Sequence, residues 1–277
     1  MHRSFDTTRG AASPRVSARP ARTKPRLSAC IFDVDGVLLE SPHERAWREA
    51  LAGFADPSRF TTEMYQAHVA GKPRLAGARA ALEALGVADA ARLATRYAED
   101  KQRRVEALID AGAFKAFPDA LRFVRTVAGL GWPMAVASSS RNADAMLRAI
   151  RFDATRALRD VFSVDVCGRE LRHGKPDPEI FLLAASELAL PPQSCLVVED
   201  APAGILAARA GGMAALGVAR LGDAALLHGA GADLVVASLD EVATDSLAAG
   251  HLAAGHLAAE HLAAEHLAAG HPTGRPA

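Results

Sequence analysis

The sequence lacks net formal charge: 32 Lys and Arg balance 32 Asp and Glu over 277 residues. No global field therefore draws the chain to nucleic acid or to an anionic membrane surface, and a small-molecule partner is expected. Cysteine is scarce. Cys30, Cys167 and Cys195 lack metal-ligand spacing, and Cys30 and Cys195 fall in apolar runs that read as buried strands. They are expected to be core thiols in a reducing cytosol. No apolar run reaches the ~20 residues of a membrane span, and the N-terminus has no apolar signal-peptide core. A soluble cytoplasmic protein is expected, a monomer or dimer with neither membrane nor nucleic acid as partner. Half of the residues are apolar, enough for one sizeable core and a smaller second lobe.

The two ends differ in composition from the middle. Residues 1–26 hold a single acid, Asp6, among Arg, Ser, Ala and Pro. That balance resembles a transit peptide, but Pro14, Pro20 and Pro25 break any amphipathic helix, so either a disordered extension or an over-called start is expected. At the other end, residues 244–277 repeat His-Leu-Ala-Ala with histidines at His251, His256, His261, His266 and His271. On a helix five residues advance about 500°, so successive histidines rotate by about 140° and form no i, i+4 metal grip. A low-complexity tail is expected.

Between the ends, apolar runs alternate with helical patterns. Strands are predicted at Leu27 to Phe32, Met134 to Ala137, around Val161 to Val166, Cys195 to Val198, Ala214 to Val218 and Leu234 to Val236. Helices are predicted at Ala120 to Ala128, Asn142 to Ile150, Pro178 to Leu188 and Ala203 to Ala210. This alternation indicates an α/β fold with a doubly wound parallel sheet. A long helical stretch from about His43 to Asp110 interrupts the series and reads as an inserted lobe.

Four short stretches lie at strand ends or helix heads: Asp33-Val34-Asp35-Gly36, Ser138-Ser139-Ser140, Gly174-Lys175-Pro176 and Glu199-Asp200. A parallel sheet gathers such positions at its carboxyl edge, where open α/β sheets bind ligands. Gly36 permits a turn that bends Asp35 back over Asp33, so that one carboxylate attacks and the other handles a proton. Glu199 and Asp200 add oxygen ligands for Mg²⁺, which would sit among Asp33, Asp35, Glu199 and Asp200. Ser138 donates a hydroxyl, the helix from Asn142 supplies backbone N–H groups, and Lys175 brings a compact positive charge. Singly, each stretch has an ordinary reading: a helix cap at Glu199-Asp200, a loop at Ser138 to Ser140, an exposed turn at Lys175. Asp33 is harder to place that way, because a carboxylate beside Cys30-Ile31-Phe32 needs a charge partner.

Together these residues resemble the haloacid dehalogenase superfamily, and within it the β-phosphoglucomutase-like branch, over about Leu27 to Val242. The resemblance implies a Rossmann-like core in two pieces, 27–41 and 113–243, and a helical cap at 42–112. It implies that Asp33 is the nucleophile that becomes an aspartyl-phosphate and Asp35 the general acid/base. Ser138 and Lys175 would hold the phosphoryl group. The metal would be Mg²⁺, on Asp33, Glu199, Asp200 and the backbone carbonyl of Asp35. The second aspartate favours phosphate esters over dehalogenation. His43 and Arg74 in the cap, with Ser140, Arg141 and Asn142 in the core, are similar to the branch's contacts to a phosphosugar. His43 also reads as a helix-start residue, Arg74 as a solvated one and Asn142 as an N-cap. The linker between Asp35 and His43 is about two residues shorter than in that branch, and Ala70 replaces an expected lysine. The implied activity is Mg²⁺-dependent phosphoryl transfer on a sugar phosphate, mutase-like. A sugar-phosphate phosphatase using the same nucleophile is the alternative, and a non-catalytic phosphosugar-binding protein a remote one.

Overall fold

A computed structural model describes residues 26–255. In chain order the strands are β1 (Ala29–Phe32), β2 (Leu39–Glu40), β3 (Lys115–Ala116), β4 (Met134–Val136), β5 (Val164–Asp165), β6 (Cys195–Glu199), β7 (Ala214–Val218) and β8 (Leu234–Val236). The helices are α1 (His43–Ala50), α2 (Thr62–His68), α3 (Arg74–Ala84), α4 (Ala90–Asp110), α5 (Pro118–Gly129), α6 (Ala143–Ala149), α7 (Glu179–Glu187), α8 (Pro202–Ala210), α9 (Ala224–Gly229) and α10 (Thr244–Ala248). Six strands form one parallel sheet in the order β5-β4-β1-β6-β7-β8, the predicted α/β doubly wound arrangement.

Side-chain alternation explains why the strands read as continuous apolar runs. In β1, Cys30 and Phe32 face one core with Leu196 and Val198 of β6, while Ala29 and Ile31 face the other with Cys195 and Val197. Both faces are covered, as all-parallel sheets require. On the first face Phe32 meets Phe123 of α5 and Phe162 edge to face, at centroid distances of 6.1 and 5.7 Å. On the second, Phe181 of α7 and Ile205 of α8 are fully buried. Cys30 and Cys195 are free and buried in these cores, and burial pushes both thiols up in pKa, which keeps them protonated and inert.

β1 pairs with β4 on one side and β6 on the other. The chain leaves β1, builds the β4–β5 side, then returns to build β6 to β8. The connections therefore diverge at the carboxyl end of β1, where a crevice opens.

The first connection carries a helical lobe with its own core of Trp47, Leu51, Phe60, Leu82 and Tyr97. Tyr97 seals it, with its ring 5.0 Å from Trp47 and its hydroxyl donating to Trp47 O at 2.9 Å. The chain enters this lobe through β2 and leaves it through β3. The two form an antiparallel pair, Leu39 opposite Ala116 and Glu40 opposite Lys115, that the sequence pattern does not announce. Two-residue strands are too short to show a period.

The first part of the compositional tail is packed. Leu247 is buried and Leu252 lies against the sheet core; Leu27 N donates to Gly250 O at 2.9 Å and Ala243 N to Ala253 O at 2.9 Å. Residues 244–255, assigned to the tail by composition, thus clasp the start of β1. His256, His261, His266 and His271, and residues 1–25 of the expected extension, lie outside the described residues. Among the described residues no helix is long and apolar enough to cross a membrane.

Candidate active site

Asp33 is the first residue beyond β1 and only 5% exposed. Its N–H donates to Val198 O at 3.0 Å, so the departing chain stays tied to β6. Gly36, at φ +86°, turns the chain, and a Cβ at that position would overlap the Asp200 carboxylate. Glycine is therefore required twice over, for the left-handed backbone and for the approach of Asp200. Gly36 N then donates to Leu39 O at 2.8 Å, and Leu38 N and Leu39 N donate to Val34 O at 3.0 and 2.9 Å. This turn presents Asp35 to the cavity.

Lys175 lies beneath. Its ammonium donates to Asp33 Oδ1 at 2.6 Å, Glu199 Oε1 at 2.5 Å and Ala137 O at 3.3 Å, and it sits 4.8 Å from the centre of the Phe181 ring. Glu199 is fully buried; its Oε2 accepts from the N–H groups of Asp200 and Ala201, both at 3.1 Å. Gly204 in the first turn of α8 makes room for that carboxylate, since a Cβ there would overlap it.

Electrostatics follow from this crowding. For Lys175, burial favours the neutral amine, but Asp33 and Glu199 outweigh it and raise the pKa. For Asp33, burial is the largest influence and pushes the carboxyl up; Lys175 opposes it, while Glu199 and Asp35 add to it. Asp200 is likewise pushed up, by burial and then by Glu199 and Asp33. One buried ammonium thus faces more carboxylates than it balances.

That surplus, with an all-oxygen donor set, fits a hard divalent cation such as Mg²⁺. Asp33, Glu199 and Asp200 each offer an oxygen, all within 4.8 Å of one another. Asp33 Oδ2 and the Asp200 carboxylate make no hydrogen bond among the described residues. Both Glu199 oxygens are already engaged, Oε1 by Lys175 and Oε2 by the Asp200 and Ala201 N–H groups. The Asp35 carboxylate points elsewhere, toward Ser138 and His43.

Asp35 Oδ2 accepts from Ser138 Oγ at 3.2 Å, and His43 Nε2 lies 3.3 Å from Oδ1, too poorly aligned for a hydrogen bond, so Oδ1 is buried without a donor. Burial alone would raise the Asp35 pKa, but His43, Ser41 and Lys101 hold it down to about 2. His43 Nε2 also meets Ser140 Oγ at 3.1 Å. The backbone donors expected near α6 are engaged: Ser140 N bonds Ser138 Oγ at 3.0 Å and Asn142 N bonds Ser140 Oγ at 3.2 Å. Asn142 occupies the N-cap position, yet its side chain makes no capping bond and accepts instead from Gln102 Nε2 of the helical lobe at 3.4 Å.

All these residues meet at one cavity of about 480 Å³ between the sheet edge and the helical lobe. Asp33, Asp35, His43, Arg74, Ser138, Ser140, Arg141, Asn142 and Asp200 line it, while Lys175 and Glu199 lie just below. The sequence reasoning missed Lys101, whose ammonium reaches His43 Nδ1 at 3.2 Å and stands 5.2 Å over the Trp47 ring. Burial, partly offset by Asp35, lowers its pKa to about 8. It also missed Tyr65, Lys72 and Gln102, which line the same wall. Their signal was weak: Tyr65, Lys101 and Gln102 lie within helices, where such residues read as ordinary core or surface, and Lys72 reads as an exposed loop cation before α3.

A β-phosphoglucomutase of Mycobacterium tuberculosis is 32% identical over 252 residues, covering 80% of this chain and 94% of that enzyme. Fructose-1-phosphate phosphatase YqaB of Escherichia coli is 35% identical over 204 residues, covering 70% and 97%. The crystal structure of an archaeal β-phosphoglucomutase from Pyrococcus superposes with a TM-score of 0.61 at 31% identity, over 80% of this chain and 99% of that one. Residues 27–212, which carry β1, the helical lobe, Lys175 and the Glu199-Asp200 pair, match the model of the haloacid dehalogenase-like hydrolases, and the chain belongs to that family.

Proposed function

We propose that the protein transfers the phosphoryl group of a sugar phosphate through an aspartyl-phosphate on Asp33. The carrying observation is the polarity of the cavity: carboxylates and one buried lysine at the sheet edge, and Lys72, Arg74 and Lys101 across from them on the helical lobe. Such a site accepts a phosphate at each end of a small polar molecule. The relatives' chemistry, on glucose and fructose phosphates, has the same form.

In the first half-reaction an Asp33 oxygen attacks phosphorus and the bond to the sugar oxygen breaks; the leaving oxygen takes a proton from Asp35. In the second, water or a sugar hydroxyl gives its proton to the Asp35 carboxylate, attacks phosphorus and frees Asp33. As held by His43, Asp35 is ionised and set for the second half. Its acid role requires a proton on Oδ1, the oxygen that has no donor, and the approach of an anionic phosphate favours uptake of that proton from solvent before the leaving oxygen receives it. Lys175 holds Asp33 in place and offsets part of the negative charge. Mg²⁺ held by Asp33, Asp200 and Glu199 would neutralise charge on the phosphoryl oxygens. The segment 42–112 acts as the cap, and its closure excludes water from the site.

Mutase-like transfer is the reading favoured here, because Arg74 and Lys101 offer a cationic seat for a phosphate that does not react. Ala70, a methyl at the cavity wall where the branch carries an amine, favours hydrolysis as the alternative. A phosphorus NMR time course with Mg²⁺ and β-glucose 1-phosphate, with and without a trace of the 1,6-bisphosphate, separates them. Conversion to glucose 6-phosphate is expected; release of inorganic phosphate instead would make the protein a phosphatase. Asp33→Asn should slow either reaction on the order of a thousandfold or more, and substantial remaining turnover would sink the mechanism.

A further inference from the structure

Arg220, just beyond β7, is absent from the reaction scheme yet makes three hydrogen bonds and an aromatic contact beside the turn that carries Asp35. Its Nε donates to Gly36 O at 2.9 Å, one terminal nitrogen to Val37 O at 3.0 Å and the other to Asp119 Oδ2 at 3.0 Å. The guanidinium carbon sits 3.7 Å from the centre of the Phe117 ring, and the side chain is 13% exposed. Asp119, in the first turn of α5, is anchored in turn: the same Oδ2 accepts from Ser238 Oγ at 3.0 Å and Leu239 N at 2.9 Å. Phe117 N donates to Leu38 O at 3.0 Å. Arg220 therefore joins the chain going out to the helical lobe, at Gly36 and Val37, to the chain coming back, at Phe117, and ties both to the core.

The contacts made by the Asp35 side chain do not explain how it keeps its place during turnover. Ser138 and His43 line the cavity, where substrate enters. The turn's own bonds use the N–H groups of Gly36, Leu38 and Leu39, leaving the Gly36 and Val37 carbonyls for Arg220. A planar guanidinium holds two adjacent carbonyls and a carboxylate in one fixed fork, an orientation that a freely rotating ammonium does not impose. We propose that Arg220 is a positioning residue: by clamping the Gly36 and Val37 carbonyls from below, it fixes the turn that aims Asp35 at the leaving oxygen. The inference rests on the reading of Asp35 as general acid/base.

The test compares two substrates. A sugar phosphate expels an alkoxide and needs the proton from Asp35, whereas p-nitrophenyl phosphate expels a stable phenolate and does not. In single-turnover experiments with Mg²⁺, Arg220→Met should slow transfer from the sugar phosphate about tenfold or more, and the nitrophenolate burst less than about threefold. Arg220→Lys should recover part of the loss. A structural staple would instead lower both rates together, and equal losses, or no loss, would overturn the proposal. Hydrogen exchange read at the Gly36, Leu38 and Leu39 amides supplies a measurement independent of turnover. Selective acceleration there in Arg220→Lys is expected, and unchanged protection would overturn the clamp even if Arg220→Met fails to fold. No burst from the unaltered protein would remove the Asp33 reading itself, an outcome distinct from an altered exchange pattern.

Discussion

At the sheet end of the cavity, Lys175 holds three acceptors and Glu199 accepts three donors, and both side chains are wholly buried. At the helical end, Arg74 makes no salt bridge among the described residues and Lys101 leans on a histidine ring and a tryptophan face, and at the core rim facing them Arg141 reaches only the exposed Glu170 at 3.4 Å. The first set is fixed by the fold before any ligand arrives; the second keeps its charge uncommitted. A site built this way separates two tasks. Groups that must meet the reacting phosphorus are preorganised, because misplacement there costs rate. Groups that recognise the rest of the molecule gain from being unpaired, because a ligand phosphate then replaces water rather than a protein partner.

The sharpest way to break the contrast is at Lys175. Lys175→Met leaves Asp33 and Glu199 buried with no cation between them, and breaking a buried pair costs about 3–5 kcal/mol. Urea unfolding without metal should show a loss of that size, and turnover should vanish with it. The wild-type contribution has a defined sign. Asp33 and Glu199 raise the lysine pKa above its unfolded value, so the stabilisation is complete below about pH 10 and is lost only as pH rises through the folded value. A steep fall of wild-type stability as pH rises from about 8 to 9 would contradict this.

Arg74→Ala should do the opposite: little effect on unfolding and a raised KM. A charge-assisted hydrogen bond is worth about 1.5–3 kcal/mol, so KM for a sugar bisphosphate should rise by about one to two orders of magnitude, with kcat much less changed. A fall in kcat with KM unmoved would place Arg74 outside the binding wall. Lys101 adds a pH signature. Its pKa of about 8 means the cation is present below that pH and lost above it. The wild-type kcat/KM should therefore decline through pH 8 for the bisphosphate, by roughly the factor that Lys101→Met costs at pH 7, and the decline should be absent in Lys101→Met.

The same contrast governs what the sequence made legible. Asp33, Asp35, Glu199 and Asp200 stand out because they end apolar runs that a parallel sheet must bury, and Lys175 because it falls in their order along the chain. The order of the six sheet strands and of α5 to α8 follows from periodicity alone and differs from expectation mainly at the ends, whereas α9, α10 and the β2–β3 pair have no counterpart among the expected elements. Lys101 and Arg220 carry no such mark. Each is one basic residue in an unremarkable setting, and its importance comes from partners 58 and 184 positions away, His43 and Gly36. Composition misleads at residues 244–255, where a repeat unit indistinguishable in sequence from its neighbours packs against the residues that lead into β1.

The smallest effect concerns the seam where the two ends meet. Ser139 Oγ donates to Gly71 O at 3.2 Å, one neutral hydrogen bond from the sheet edge to the loop that leads into Arg74. Beside it, a Cβ at Gly174 would overlap Pro73 of that same loop, so the loop is seated closely against the core. Ser139→Ala removes a bond worth about 0.5–1.5 kcal/mol, equivalent to roughly two- to tenfold in the balance between closed and open arrangements. If the preorganised end carries the chemistry and the lobe only seats the ligand, this loss should raise KM by a factor in that range and leave the single-turnover rate at saturation unchanged. A matching fall in that rate would mean that the seam helps align the reacting groups, and the division between the two ends would then run deeper into the core than Ser139.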